Sequence, residues 1–254
     1  MSNYKLTVAI STFGYRALEF NLEALVPLES VQYLIVVQLG DVSKAQFSRK
    51  VEFVKTRDFI SLIFVETSGV SNNRNTCLEE ASGQFIWFCD DDLEILFENI
   101  EAIPTLFSDH GNPTILCGRS LNSQLLPRKA FATCSTKLSK FNTAKFATFE
   151  IALDLEKTRA LGVKFDTNFG VGAKNRIGDE FVLLTDILKK GGNGVFLPVD
   201  WSIHPDVSSG LKFSSTSEKV KLQLAIFWRV FGFVAIPIYI AFLAKNYCDN
   251  WRDT

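Results

Sequence analysis

Three consecutive carboxylates, Asp90, Asp91 and Asp92, close the apolar run FIWFC. Packed together they repel one another unless a cation neutralises them. Side chains alternate along an extended backbone, so Asp90 and Asp92 can face one site while Asp91 faces away or turns to a neighbouring group. Hard oxygen donors in that arrangement suit Mg²⁺ or Mn²⁺ bridging to phosphate oxygens. The bland alternative is a solvated acidic loop that caps the segment after it. Upstream, SNNRN at 71–75 offers Arg74 to a phosphate and Ser71 or Asn72 as a helix cap. Downstream, Asp179 and Glu180 open a segment with helical spacing, where either acid also favours the helix dipole. His204 can ligate a metal as neutral imidazole or hold phosphate as a cation, whereas His110 in SDHGNP reads as a turn residue.

These groups need rigid elements behind them. LTVAIST at 6–12, YLIVVQL at 33–39, SLIFVE at 61–66 and QFIWFC at 84–89 are short apolar, β-branched runs, as expected of buried parallel strands. A helix is expected over 18–29, a short one after SNNRN and another over 93–107, which makes a βαβ start. The triple acid then lies at the carboxyl end of a parallel sheet, where open α/β sheets bind ligands. TILCG at 114–118 reads as a strand, and 119–160 as a mixed region, a loop or small sheet over the site. GVGAKNRIGDE is a glycine-rich loop, FVLLTDILKKGG a helix ended by glycine, and VFLPVDWSIHP a returning strand.

Bulk composition sets limits. At 254 residues with 47% hydrophobic and 22% charged residues, one α/β core with an appended segment is expected, and disorder is excluded. A net charge of −1 argues against nucleic acid as partner. Five scattered cysteines form no zinc or disulfide spacing and fit a reducing compartment. MSNYKLTVAIST lacks a signal-peptide pattern, so a cytoplasmic chain is expected. The stretch 224–244 is apolar apart from Arg229. Three readings compete for it: shallow insertion at a membrane surface with Lys219, Lys221, Arg229, Lys245 and Arg252 near anionic headgroups, packing against protein or a second copy, and a full span burdened by Arg229 and Pro237. The domains are accordingly 1–215 and a hydrophobic helical segment, 216–254.

The ordered set VAISTFGYR, SNNRNTCLEEASG, QFIWFCDDD and, more loosely, GVGAKNRIGDEFVLLTDILKKGG resembles the inverting family-2 glycosyltransferases. That resemblance implies the GT-A fold, a Rossmann-like, mostly parallel sheet flanked by helices. It also implies transfer of a sugar from a nucleotide-sugar, a UDP-sugar being expected, to a glycan or lipid-linked glycan hydroxyl. By matching position, Asp92 would hold Mn²⁺ or Mg²⁺ with Asp90 and His204. Asp90 or Asp91 would meet the ribose, and Ser11, Thr12, Phe13, Arg16, Asn72 and Arg74 would line the donor. Gln38 or Asp41 would replace the family's usual acidic contact to the base. The family reads Glu-Asp where this chain reads Asp179-Glu180; Glu180 is favoured as general base, with Asp179 the alternative. Ser208, Ser209 and Lys212 would form a flap over the donor. The implied setting is the inner face of a membrane, with a homo-oligomer possible. Two rivals stand beside this reading. A sugar nucleotidyltransferase would want a glycine-rich basic loop that STFGYR lacks, and a non-catalytic scaffold would have no need of the acid cluster.

Overall fold

A computed structural model describes residues 4–204 and 214–252, with side chains to Ala244. Nine strands form one sheet: β1 Leu6–Phe13, β2 Val31–Gln38, β3 Ile60–Val65, β4 Phe85–Asp90, β5 Glu94–Ile95, β6 Ile115–Leu121, β7 Thr136–Lys137, β8 Ile151–Asp154 and β9 Gly194–Ile203. Their order is β3-β2-β1-β4-β8-β6-β9-β5, and β7 also pairs with β9. The first four are parallel to one another. β8 runs against both β4 and β6, so β6 and its parallel neighbour β9 share the direction of the first four. Three antiparallel strands, β5, β7 and β8, thus break an otherwise parallel sheet.

Alternation along the strands builds two cores. Val8, Ile10, Tyr33, Ile35, Val37, Phe85 and Trp87 face one side, against Ile100, Ile103 and Phe107. Ala9, Leu34, Val36, Ile86 and Phe88 face the other, against Cys77 and Leu78 of the helix Val70–Glu80 and Leu183, Leu184 and Ile187 of the helix Asp179–Lys189. Both faces are covered, which is why these strands read as unbroken apolar runs.

Three expectations change. The helix over 93–107 is two short ones, Phe97–Glu101 and Ile103–Asp109, because Pro104 begins a new first turn and cannot continue the old one. The helix over 18–29 is a Gly14–Glu19 helix followed by a 3₁₀ turn, Leu22–Ala24, that starts where the Asn21 side chain accepts from the Glu23 N–H. The region 119–160 is partly core, since β8 is buried throughout between β4 and β6.

The C-terminal stretch overturns a single spanning helix. Thr216–Ala244 has the 29-residue length and a mean hydropathy of 2.0 over its most apolar window. The chain nevertheless breaks at Gly232, whose φ of 59° favours glycine, between the helices Thr216–Phe231 and Ala235–Arg252. The Tyr239 hydroxyl donates to Gln223 Oε1 at 3.0 Å, and the Phe227 and Phe242 rings lie 5.2 Å apart. In one straight helix residues 223 and 239 would be about 24 Å apart, so the two helices fold back as a hairpin. The first is packed onto the main domain. Ile226 and Val230 join Phe169, Phe181 and Val182, and Arg229 binds Asp186 through both terminal nitrogens, at 3.0 and 2.6 Å, and Asp166 at 2.8 Å. Arg229 therefore faces protein.

Candidate active site

β4 delivers Asp90 beside Ser11 of β1, and the chain turns immediately after it. Asp91 bends back to Thr12 Oγ1 and the Arg16 guanidinium, and its side chain is only 6% exposed. Arg16 also pairs with Asp92 at 3.0 Å. Asp90 and Asp92 are left to face His204, and the three residues bring ligand atoms within 4.8 Å of one another. His204 follows β9, with its N–H on the Leu121 carbonyl at 2.9 Å and its ring 4.9 Å from Phe149. Burial pushes the Asp90 pKa up; Arg74 opposes this, while the charges of Asp92, Glu180 and Asp91 add to it. Two carboxylates and an imidazole, with surplus negative charge, make a donor set that fits Mn²⁺ or Mg²⁺.

Arg74 is the hinge between this cluster and a second. It is buried, 3.4 Å from Asp90, in contact with Asp179 and 3.8 Å from Glu180. One guanidinium thus faces three carboxylates. Desolvation, and then the Glu180 charge, raise the Asp179 pKa to about 7 despite Arg74. Glu180 is also penalised by burial, but Arg74 and the Thr148 hydroxyl, which donates at 2.7 Å, hold its pKa below the usual carboxylate range. Of the two acids Glu180 is the more accessible, 22% against 5% by side chain. The sequence placed Arg74 on a phosphate; in the structure its partners are carboxylates, because burial demands compensation for its charge.

The SNNRN segment lies inside its helix rather than capping it. Gly69 stands at the N-cap, without a side-chain cap bond. Ser71 Oγ donates to the Phe169 carbonyl at 2.6 Å, and Asn75 binds both the carbonyl and the N–H of Phe165, at 2.9 and 2.8 Å. Ser71, Arg74 and Asn75 share one face, at i, i+3 and i+4, and that face clamps the loop leading to Asp179. Gly170 makes the approach possible: its φ is 97°, and a Cβ there would meet Val70 at 2.7 Å and Asp179 at 2.9 Å. Asn72 donates to the Ser68 carbonyl at 2.6 Å. Asn73, which sequence reasoning missed, ties the Thr12 and Val36 carbonyls at 3.2 and 3.0 Å.

A cleft of about 530 Å³ opens beyond the carboxyl ends of β1, β2 and β3, walled by Phe13, Gly40, Lys44, Glu66, Thr67 and Ser68 among others. Phe13 is 54% exposed. Gln38, expected to meet a base, is 4% exposed and spends its amide N–H groups on the Thr67 and Gly69 carbonyls at 2.9 and 2.8 Å, so it shapes the wall instead. Asp41 is exposed in the adjoining turn. Ser11 lies beside Cys77, 3.7 Å between Oγ and Sγ. Glu66 to Ser68 follow β3 directly, and their position at a strand's carboxyl end was the signal for them; Thr148 and Lys44 carried none. Ser208, Ser209 and Lys212 lie outside the described residues.

Residues 44–169 match the sequence profile of glycosyl transferase family 2. No curated protein matches the chain. Among solved structures, the chain is similar to S. aureus TarS residues 1–349, at 14% identity and a TM-score of 0.66, covering 90% of this chain and 66% of that one. The same fragment in complex with UDP-GlcNAc matches at a TM-score of 0.67 and 14% identity, over 90% of this chain and 67% of that one. A longer S. aureus TarS chain matches at a TM-score of 0.64 and 14% identity, over 90% of this chain and 40% of that one. The chain therefore spans just under two thirds of the first fragment and less than half of the longer protein.

Proposed function

The chain belongs to glycosyl transferase family 2, and from that premise we propose a metal-dependent, inverting glycosyltransferase. Its donor is a nucleotide-sugar, with uridine as the base, and its acceptor a hydroxyl of a glycan or lipid-linked glycan at the cytoplasmic face of a membrane. One observation carries this reading: Arg74 links the Asp90, Asp92 and His204 cluster to the Asp179 and Glu180 pair at the carboxyl ends of the strands. Solved complexes of TarS with UDP-GlcNAc and with UDP support a uridine donor.

The exposed Phe13 ring offers the base a stacking face at the mouth of the cleft. Asp90, Asp92 and His204 would hold a divalent ion, whose chemistry when bound is to offset the charge of the leaving diphosphate. Thr12 and Arg16 keep Asp91 and Asp92 in place for that task. Arg74 and Thr148 hold Glu180 ionised and aimed, so its carboxylate accepts the proton of the acceptor hydroxyl as the oxygen attacks the anomeric carbon. Asp179, nearly buried, anchors Arg74 and shares the local negative charge. A single displacement follows, with inversion and no covalent intermediate.

Titration calorimetry with UDP and a panel of UDP-sugars, with Mn²⁺ and then with excess chelator, tests the proposal. Binding that vanishes with chelator is expected. Equal binding in both conditions removes the metal, and no uridine nucleotide binding at all removes the donor assignment.

A further inference from the structure

Every exposed residue from 233 to 244 is apolar, with Phe233 94%, Val234 52%, Ile236 52%, Ile240 61% and Leu243 44% exposed. No charged residue lies between Arg229 and Lys245. Only Ala235 and Tyr239 are buried in that stretch, so about half of the helix circumference is bare hydrocarbon. A seam with a second helix covers only a narrow stripe and leaves the remaining apolar positions in water. Acyl chains cover all of them.

The hairpin is too short to cross. From Phe233 to Ala244 a helix rises about 18 Å, against a hydrocarbon thickness of about 30 Å, and the turn at Gly232 returns the chain to its own side. Charge marks the depth. Arg229 is tied to Asp166 and Asp186 at the hairpin's base. Lys140 lies 5.9 Å from the Phe231 ring, and Phe141, 68% exposed, stacks on that ring at 5.7 Å. Lys189 is exposed at the end of the helix Asp179–Lys189, one turn past the Asp186 that binds Arg229. Trp228, 55% exposed and 6.1 Å from Phe233, has the amphipathic ring typical of the headgroup level.

We propose that the Phe231–Ala244 part of the hairpin inserts into a single leaflet of an anionic bilayer, with Trp228 and Phe141 at the headgroups and Lys140 and Lys189 on the phosphates. This deepens the membrane-surface part of the functional reading and does not depend on the donor chemistry. The helix Asp179–Lys189, which carries the acid pair, packs on the hairpin's first helix. Insertion therefore holds the acceptor side of the site at a set height above the lipid.

The test is flotation of the full chain with phosphatidylcholine vesicles and with vesicles containing phosphatidylglycerol, alongside the double variant Phe233→Asp with Ile240→Asp. Both positions are exposed, so the variant should fold, and unchanged UDP affinity checks that separately. The expected result is binding favoured by phosphatidylglycerol, weakened at least tenfold in the variant, with tryptophan fluorescence quenched more by lipids brominated near the headgroup than near the chain ends, a difference that Trp228→Phe removes. Absence of flotation overturns the proposal, as does flotation that the variant leaves unchanged. A dimer that forms without lipid and is dispersed by the variant assigns the face to a second copy instead.

Discussion

The two sides of the site are held by different means. On the donor side, Thr12, Phe13 and Asp90 sit on neighbouring parallel strands in continuous register, so the backbone ladder itself sets their spacing. On the acceptor side the loop 165–178 has a single isolated bridge, Phe169 to Asn175, and is held mainly by side chains, from the helix Val70–Glu80 and from Arg229 on Asp166. A ladder survives the loss of any one side chain, whereas a loop clamped by a few side chains is loosened by each loss. The donor side should therefore tolerate substitution structurally and fail chemically, and the acceptor side should do the reverse except at the base itself.

That exception gives the largest effect. Glu180→Gln keeps the Thr148 contact but loses the proton acceptor, so kcat should fall about 10³-fold with UDP affinity unchanged. If Asp179→Asn alone stops turnover, the base is Asp179. Next, Arg74→Leu leaves buried carboxylates without their cation, and denaturant unfolding should show a loss of about 3 kcal/mol or more. Asp92→Asn should weaken metal-dependent UDP binding about 100-fold while the melting temperature stays within a few degrees; unchanged affinity would remove Asp92 from the metal set. Asn75→Ala orphans both backbone groups of Phe165 and should cost about 1 to 2 kcal/mol, raising the acceptor KM and sparing UDP binding.

A further effect is a pH dependence. Asp179 has its pKa raised from 3.8 to about 7 in the folded chain, so the folded state holds the proton more tightly than the unfolded one. Its favourable contribution is complete below the unfolded value and is lost as the pH rises to about 7. The stability of Asp179→Asn relative to the parent should accordingly rise as the pH is raised from 4 to 8. A flat difference across that range would mean that Arg74 neutralises Asp179 fully.

Legibility followed the same division. FIWFCDDD could be read as a strand bearing acids, and alternation alone separated Asp91 from Asp90 and Asp92, because a strand's geometry is local. The strands 6–12, 33–39, 61–66 and 84–89 were legible for the same reason, being apolar on both faces. The carboxylate surroundings of Arg74 were not legible because two of its three partners, Asp179 and Glu180, are 105 and 106 residues away along the chain, and a basic residue in isolation looks like a phosphate ligand. Gln38 was misassigned because the loop consuming its amide comes from the far end of β3. β8 was invisible because four residues, IALD, are too few to show a period.

By itself, then, the sequence determined the parallel half of the sheet, the acid-bearing turn after β4, and an apolar C-terminal stretch bounded by Arg229 and Lys245, since all three depend on periodicity and neighbours in the chain. The family resemblance had put His204 with Asp90 and Asp92; only the tertiary structure decided how close they come, that one buried guanidinium serves three carboxylates, and that the apolar stretch doubles back at Gly232. Each of those is a contact between residues distant in sequence, and the compensation of buried charge and the packing of helix on helix are settled only when the chain has closed on itself.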